Sequence, residues 1–188
     1  MKKLLLTASL TVSMLSLIGV AKAQTAQTST ATSNLNVHIT EQLQINFGDG
    51  AGNVSSGDID LTFAKPEDYV TGVSATKNGH LLITSTGNYT VDVKTQDAKL
   101  AGMTGTNSSA IDADAVKVKL LPTSNSDIVG NTTGLNLSQT NGRFISSGQP
   151  TTQTALNVQY FTAPKDERFV GLAADTYRTQ ITYTLTAN

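Results

Sequence analysis

The fold is decided by the last stretch of the chain, DTYRTQITYTLTAN at residues 175–188. From Tyr177 onward, every second residue belongs to one face. The residues of this face are Tyr177, Thr179, Ile181, Tyr183 and Leu185, and polar residues lie between them. A period of two places one set of side chains on a buried face and the other in solvent, which is typical of a half-buried antiparallel strand. A strand of this length needs a sheet to receive it, so the pattern predicts that the rest of the chain is β-structure as well.

Short runs with the same alternation recur along the chain, separated by turns rich in Gly, Asn, Ser and Pro. The further predicted strands cover residues 35–39, 43–47, 59–63, 69–75, 80–85, 89–93, 116–120, 135–137, 143–145 and 155–161. The first two keep one phase, so they form either one bent strand or two. No run outside the N-terminus has the spacing of an amphipathic helix. The sequence therefore predicts an all-β fold, a single antiparallel two-layer β-sandwich with Greek-key connections, and a closed barrel is the alternative.

The strongest local prediction is a hairpin formed by residues 80–85 and 89–93, joined by a turn at residues 86–88. Asn78-Gly79 predicts another tight turn just before it, because this pair accepts positive φ angles. The connection at residues 96–114 is long for a compact domain. We expect it to be exposed or to cross from one sheet to the other.

The N-terminus has the pattern of a signal peptide. Lys2 and Lys3 precede an apolar run at residues 4–20, and Ala21-Lys22-Ala23 supplies small residues where a signal peptidase reads, which predicts cleavage before Gln24. A retained membrane anchor is the alternative, but the run contains five Ser and Thr residues and ends in a cleavage site. We therefore expect an exported protein, located in the periplasm, at the cell surface or outside the cell, without a transmembrane anchor after cleavage.

The predicted organisation is a signal peptide at residues 1–23, a flexible polar tail at residues 24–34 and a β-sandwich domain at residues 35–188. Three of the thirteen basic residues lie in the signal peptide, so ten remain against fourteen acidic residues, a net charge of −4. No basic cluster is left, which argues against a nucleic-acid partner. The chain has no Cys, so packing and strand pairing must stabilise the domain without a disulfide.

One group of oxygen-bearing side chains is a weak candidate for a calcium site. It consists of Asp49, Asn53, Asp58 and Asp60, around a Gly-rich loop. A calcium loop has ligands at alternate positions and a closing Glu, and this stretch has neither. A solvated turn is the simpler interpretation, and no metal or other cofactor is predicted.

The residue pattern does not indicate a catalytic site. His38 and His80 are out of phase with the apolar residues of their strands or lie at a strand edge, so we expect both to be exposed. They have no partner at metal-binding spacing, and no GxSxG motif accompanies the many hydroxyl residues. Among the tyrosines, Tyr69 is the freest to stack on a sugar ring, and one ring makes a poor platform.

Three segments resemble those of known bacterial surface domains. They are Leu43-Gln-Ile-Asn-Phe47-Gly48, Gly87-Asn-Tyr89-Thr-Val91-Asp-Val93, and Ala174-Asp-Thr-Tyr177 continued by Ile181-Thr-Tyr183-Thr-Leu185. The layout is similar to that of pilin-like and spore-coat-like β-sandwich proteins with an Ig-like fold. The last strand is also similar to that of WxL cell-wall-binding domains, although the tryptophans and the usual pilin disulfide are absent.

The resemblance implies a non-enzymatic surface protein, structural or adhesive, that assembles as a fimbrial-type subunit by β-strand addition with other copies of itself or related subunits. The candidate residues for the exchanged strand are Leu35, Val37, Ile39, Leu43 and Ile45. The competing interpretation is that the same residues form the first strand of their own domain. The alternative function is a carbohydrate- or cell-wall-binding module, which a ring-lined groove would favour. An enzyme comes third, and a buried polar cluster with perturbed pKa values would favour it.

Overall fold

A computed structural model of the protein describes residues 29–105, 107–122 and 127–188. The predicted signal peptide and the first residues of the predicted tail lie outside the described residues. The chain divides into two units, Met1–His38 and Ile39–Asn188. In the first unit, residues 29–38 are exposed and have neither helix nor strand. All the secondary structure described below belongs to the second unit.

The regular secondary structure described in the second unit is almost entirely antiparallel strand, so the all-β prediction is confirmed. Its strands are β1 (Leu43–Phe47), β2 (Ser74–Ser85), β3 (Tyr89–Thr95), β4 (Lys99–Gly102), β5 (Ala110–Asp112), β6 (Val116–Leu120), β7 (Ile128–Gly130), β8 (Leu135–Asn136), β9 (Gly142–Gly148), β10 (Thr151–Thr162), β11 (Tyr177–Arg178) and β12 (Ile181–Ala187). One short helix, α1 (Pro66–Thr71), and two 3-10 turns, Ala113–Ala115 and Glu167–Phe169, complete the described elements.

Two sheets face each other across one hydrophobic core. The first has the order β1-β2-β10-β6-β8 and the second the order β12-β3-β9-β7, while β11-β4-β5 form a small third sheet. The first sheet contributes to the core Leu81, Ile83, Val118, Leu120, Leu156, Val158 and Tyr160, and the second contributes Tyr89, Val91, Val93, Ile128, Phe144, Ile145 and Tyr183. Inward-facing residues of two sheets that share a core define a two-layer β-sandwich, with separate sheet edges rather than a closed barrel.

The predicted hairpin of residues 80–85 and 89–93 is wrong, although both strands are present. β2 pairs with β1 and β10, whereas β3 pairs with β12 and β9 in the other sheet. The turn between them is therefore a corner at which the chain passes from one sheet to the other. A Gly-Asn turn reverses the chain equally well in both cases, so the local sequence does not distinguish them.

Asn78-Gly79 does not form the predicted turn, because β2 continues through it. Gly79 has a φ of 55°, and its N–H donates to Oδ1 of Asn157 at 2.7 Å. The register between β2 and β10 shifts between Leu156 and Val158, which marks a β-bulge at this point. The positive φ that favours Gly in a turn is here used to bend a long strand.

Residues 69–75 are not one strand, because the first of them belong to α1. The carboxylate of Asp68 accepts from the backbone N–H of Ala64 at 2.8 Å and from that of Lys65 at 2.9 Å, which holds the start of this helix. Pro66 fits the first turn, where no N–H is needed. The final predicted strand is also divided, since β11 pairs with β4 and β12 pairs with β3.

The predicted strand at residues 59–63 has the expected alternation but is not a strand. Ile59 and Leu61 are half-buried and pack against the core, while Asp60 and Thr62 are exposed. No ladder of backbone hydrogen bonds joins this segment to a neighbour in the described part of the chain. The side chains therefore alternate between buried and exposed as in a strand, whereas the backbone pairs with no strand in the described part of the chain.

A Gly148→Ala substitution is expected to lower the free energy of unfolding by about 1–3 kcal/mol, because overpacking a filled core forces neighbours to move. A Cβ at Gly148 would overlap the ring of Tyr89, whose side chain is fully buried. Gly87→Ala is the matched control, since its Cβ would meet nothing within 4 Å. Urea unfolding measures both variants, and equal losses of stability would contradict the packing described here.

Candidate functional site

One edge of the second sheet has no paired strand among the residues that the structure describes. β12 is the end strand of this sheet, and the residues that flank it continue its pairing with β3: Gln180 accepts from the N–H of Gln96, and Asn188 donates to the carbonyl of Asn88. In antiparallel pairing the two backbone groups of one residue point to the same side, and the sides alternate along the strand. The backbone N–H and C=O groups of the even-numbered residues therefore point toward β3. The backbone groups of the odd-numbered residues point away from it, and these residues are Ile181, Tyr183, Leu185 and Ala187. No described strand pairs with them.

The first sheet has a similar edge at β1. Gly48 donates its N–H to the carbonyl of His80 at 2.9 Å, and Thr86 donates to the carbonyl of Gln42 at 3.0 Å. These bonds show that the backbone groups of the even-numbered residues of β1 point toward β2. The backbone groups of the odd-numbered residues point outward, and of these the carbonyl of Phe47 accepts from Ser55 at 2.9 Å.

The two edges lie beside each other on one side of the sandwich. β1 and β12 are in contact, and the rings of Phe47 and Tyr183 meet edge-on with centroids 6.1 Å apart. Ile45, Ile181 and Leu185 are only partly buried and pack against the core from this side. We call the outward edges of β1 and β12, with the half-buried side chains beneath them, the open seam.

The structure divides the five candidates for strand exchange into two groups. Leu43 and Ile45 lie in β1 and pair with β2 of their own chain. Leu35, Val37 and Ile39 lie in no strand, and their side chains are 89%, 74% and 83% exposed. Large apolar side chains at alternate positions, all in solvent, are unusual unless they meet a partner. The sequence does not indicate the open edge of β12, because alternation does not show which edge of a strand stays unpaired.

A chain of three buried polar side chains crosses the core beside the open seam. Nε2 of His80 lies 3.1 Å from the hydroxyl of Tyr160, which lies 2.7 Å from the hydroxyl of Tyr183. His80 and Tyr160 belong to the first sheet and Tyr183 belongs to β12, so this series of polar contacts connects the two sheets. The expectation that His80 is exposed is wrong: it is 1% exposed, because the bulge at Gly79 turns it inward.

All three groups are neutral at pH 7. Burial, together with the smaller effect of the charge of Lys77, lowers the pKa of His80 to about 4. Burial raises the pKa of Tyr160 and of Tyr183. A buried polar cluster with shifted pKa values is one sign of an enzyme, but both hydroxyls lie within the core and bond to each other. The geometry supports a structural role for the cluster.

The stability of the protein is expected to fall as the pH is lowered from about 6.5 to about 4. In this window the unfolded chain takes up a proton on His80 that the folded chain does not, at a loss of at most about 1.4 kcal/mol per pH unit. Below pH 4 both states are protonated and the contribution stays constant. Urea midpoints at about pH 7.5 and about pH 5 should differ more for the wild type than for His80→Gln.

Carboxylates such as Asp175 titrate at lower pH and are present in both proteins. The largest cause of the lowered pKa of Asp175 is the hydrogen bond that it accepts from the N–H of Thr104. An equal decrease in the two midpoints would show that His80 does not titrate as described.

Three of the four calcium candidates line a polar cavity of about 460 Å³. Asp49, Asp58 and Asp60 line it, and Asn53 does not. The carboxylate of Asp49 is already used within its own loop, where it accepts from the N–H of Ala51 at 2.8 Å and from two nitrogens of Asn53 at 3.0 and 3.1 Å. In the described ranges, no group of three or more acidic or His side chains is placed to hold a metal ion.

The exposed ring of Tyr69 belongs to a small aromatic cluster. Phe63 stacks on Phe169 with centroids 4.7 Å apart and contacts Tyr69 at 5.0 Å. The rings therefore pack mainly on one another. Neither the cavity above nor a second one of about 270 Å³, beside Leu137, is lined by Phe or Tyr. The carbohydrate-binding alternative stays a prediction without a ring-lined groove to support it.

Comparison with known proteins finds likenesses in fold among solved structures. No family model matches the chain, and no curated protein matches it. Among similar solved structures is a chain from a chaperone–usher pilus, which is 9% identical, with a TM-score of 0.38 over 88% of this chain and 100% of that chain. At this identity and TM-score the likeness does not carry function from one chain to the other. No helix in the described ranges is long and apolar enough to span a membrane.

Proposed function

We propose that this protein is an exported, non-enzymatic structural subunit that associates with further copies of itself by β-strand addition. In this proposal, residues 35–39 of one copy form a strand on the open edge of β12 in the next. Two features of the described residues carry it: an edge of β12 without a paired strand, over half-buried apolar side chains, and a separate segment that has the alternation of a strand and pairs with none.

The two parts are complementary in chemistry. The donor segment brings Leu35, Val37 and Ile39 on one side of an extended chain, and the open seam presents Ile181 and Leu185 only partly covered. Main-chain hydrogen bonds supply affinity in strand addition, and alternate side chains select the register. An edge strand with free backbone groups is a template for such pairing.

The energies show why the backbone ladder matters. Burying three such side chains contributes about 5–9 kcal/mol at about 1.5–3 kcal/mol each. Ordering five residues costs about 5–10 kcal/mol. The two terms nearly cancel, so the ladder bonds to β12, at about 0.5–1.5 kcal/mol each, decide whether the strand is added.

The assembly state of the purified protein, without its predicted signal peptide, tests this proposal. Size-exclusion chromatography with light scattering should find species larger than a monomer, and unboiled samples on denaturing gels should give ladders that collapse on boiling. A folded monomer at every concentration would contradict the proposed function.

A further inference from the structure

Residues 57–63 cover part of the core in an unusual way, and we call this segment the strap. Its inward residues are half-buried and its other residues are exposed, in strict alternation. The inward residues are Gly57, Ile59, Leu61 and Phe63, and the exposed ones are Asp58, Asp60 and Thr62. This is the burial pattern of a strand on the surface of a sandwich.

The strap nevertheless makes no backbone pairing that the structure describes. The polar cavity lies between the strap and β2. Asp58 and Asp60 of the strap line it, and so do Thr76 and Lys77 of β2. Apart from a hydrogen bond from the N–H of Gly57 to the hydroxyl of Ser55, the described contacts that hold it in place are side-chain packing. Segments with few buried contacts and no ladder open at low free energy, so we expect the strap to be lifted from the core more easily than the paired strands.

The strap is attached at both ends, and its first end lies at the open seam. Ser55 donates its N–H to the carbonyl of Phe47, on the outward side of β1, and Gly57 lies against the ring of Phe47. That ring contacts Tyr183 of β12. At the second end, Phe63 stacks on Phe169. The glycines at positions 50, 52 and 57 have positive φ angles. They lie just before the strap or at its first residue, where glycine allows the backbone to bend.

The strap and the proposed donor segment have the same sequence pattern. Residues 58–64 read DIDLTFA, and residues 34–40 read NLNVHIT. Each has three large apolar residues at alternate positions with polar residues between them. A segment of this pattern can therefore bury its side chains where the strap now buries its own.

We propose that the strap is a placeholder, which residues 34–40 of a second copy displace when that copy adds a strand. This inference rests on the proposed function. The displacing segment replaces the three apolar side chains and also gains the ladder to β12 that the strap lacks. Until then, the strap keeps solvent from the half-buried core.

The accessibility of the strap before and after assembly tests this proposal. The chain has no Cys, so a single thiol can be introduced by Leu61→Cys at a half-buried position and, as the matched control, by Thr62→Cys at the exposed position beside it. In the monomer, the thiol at position 61 should react with a maleimide several-fold more slowly than that at position 62. In assembled protein, or with an excess of a synthetic peptide of residues 34–40, the two rates should become equal.

The outcomes separate the two proposals. If assembly or peptide binding occurs and the thiol at position 61 stays slow, the strap remains in place and the placeholder is contradicted, while strand addition stands. If neither association nor peptide binding occurs, the proposed function itself fails. Equal rates in a dilute monomer would show that the strap does not cover the core, or that the chain's own segment displaces it, and would overturn displacement by a second copy.

Discussion

A Val37→Asp variant should fold as the wild type does and lose self-association. The side chain of Val37 is 74% exposed and lies in no strand, so the change costs the isolated chain little. In the proposed assembly the same position is buried over an apolar core, where an unpaired carboxylate is strongly disfavoured. We expect association to weaken at least about 100-fold, which corresponds to about 2.7 kcal/mol. Light scattering and unboiled gels measure it, and circular dichroism checks the fold.

Val170→Asp is the matched control for this variant. Val170 is also an exposed valine, at 63%, but it lies outside the proposed donor segment and the open seam. It should assemble as the wild type does. Equal assembly of the Val37→Asp variant and the wild type would rule out residues 35–39 as the donor.

The second large effect is expected from proline at adjacent positions of β12. The N–H of Ala187 points away from β3, so Ala187→Pro leaves the pairing within the sheet intact and removes one group from the open edge. In the assembly, β12 is no longer an edge strand, and proline is poorly tolerated there. We expect the fold to be kept and association to weaken about two- to tenfold, the equivalent of one ladder bond of about 0.5–1.5 kcal/mol.

Thr186→Pro should have the opposite profile. Thr186 pairs with Thr90 of β3 through its backbone, so proline at this position removes a bond within the sheet. It is expected to lower the free energy of unfolding by about 1–3 kcal/mol, and the thermal or urea midpoint shows this directly. If Ala187→Pro destabilises the monomer as much as Thr186→Pro does, the side of β12 taken as open is wrong.

The sequence was sufficient for the class of fold and for most strands. Alternation places Tyr183 in the core, and the run at residues 116–120 is a strand as predicted. Period-two patterns record which face of a strand is buried, and that information is local. Local alternation is therefore sufficient to predict strands such as β6 and β12.

The remaining features depend on long-range pairing, which local patterns do not record. The alternation at residues 59–63 correctly indicates a buried face, yet no neighbour pairs with that backbone. His80 is buried because a bulge shifts the phase of β2. The open edge of β12 follows from the order of strands in the sheet. Candidate donor residues could be read from the sequence, and the acceptor edge could not.

Residue-resolved hydrogen exchange of β12 in monomer and assembly is the most direct test of strand addition. In the monomer, the amides of Ile181, Tyr183, Leu185 and Ala187 should exchange faster than those of the even-numbered residues, which bond to β3. On assembly, these odd-numbered amides should become protected together with residues 35–39, while the even-numbered amides change little. Assemblies in which the odd-numbered amides exchange as fast as in the monomer would contradict the account.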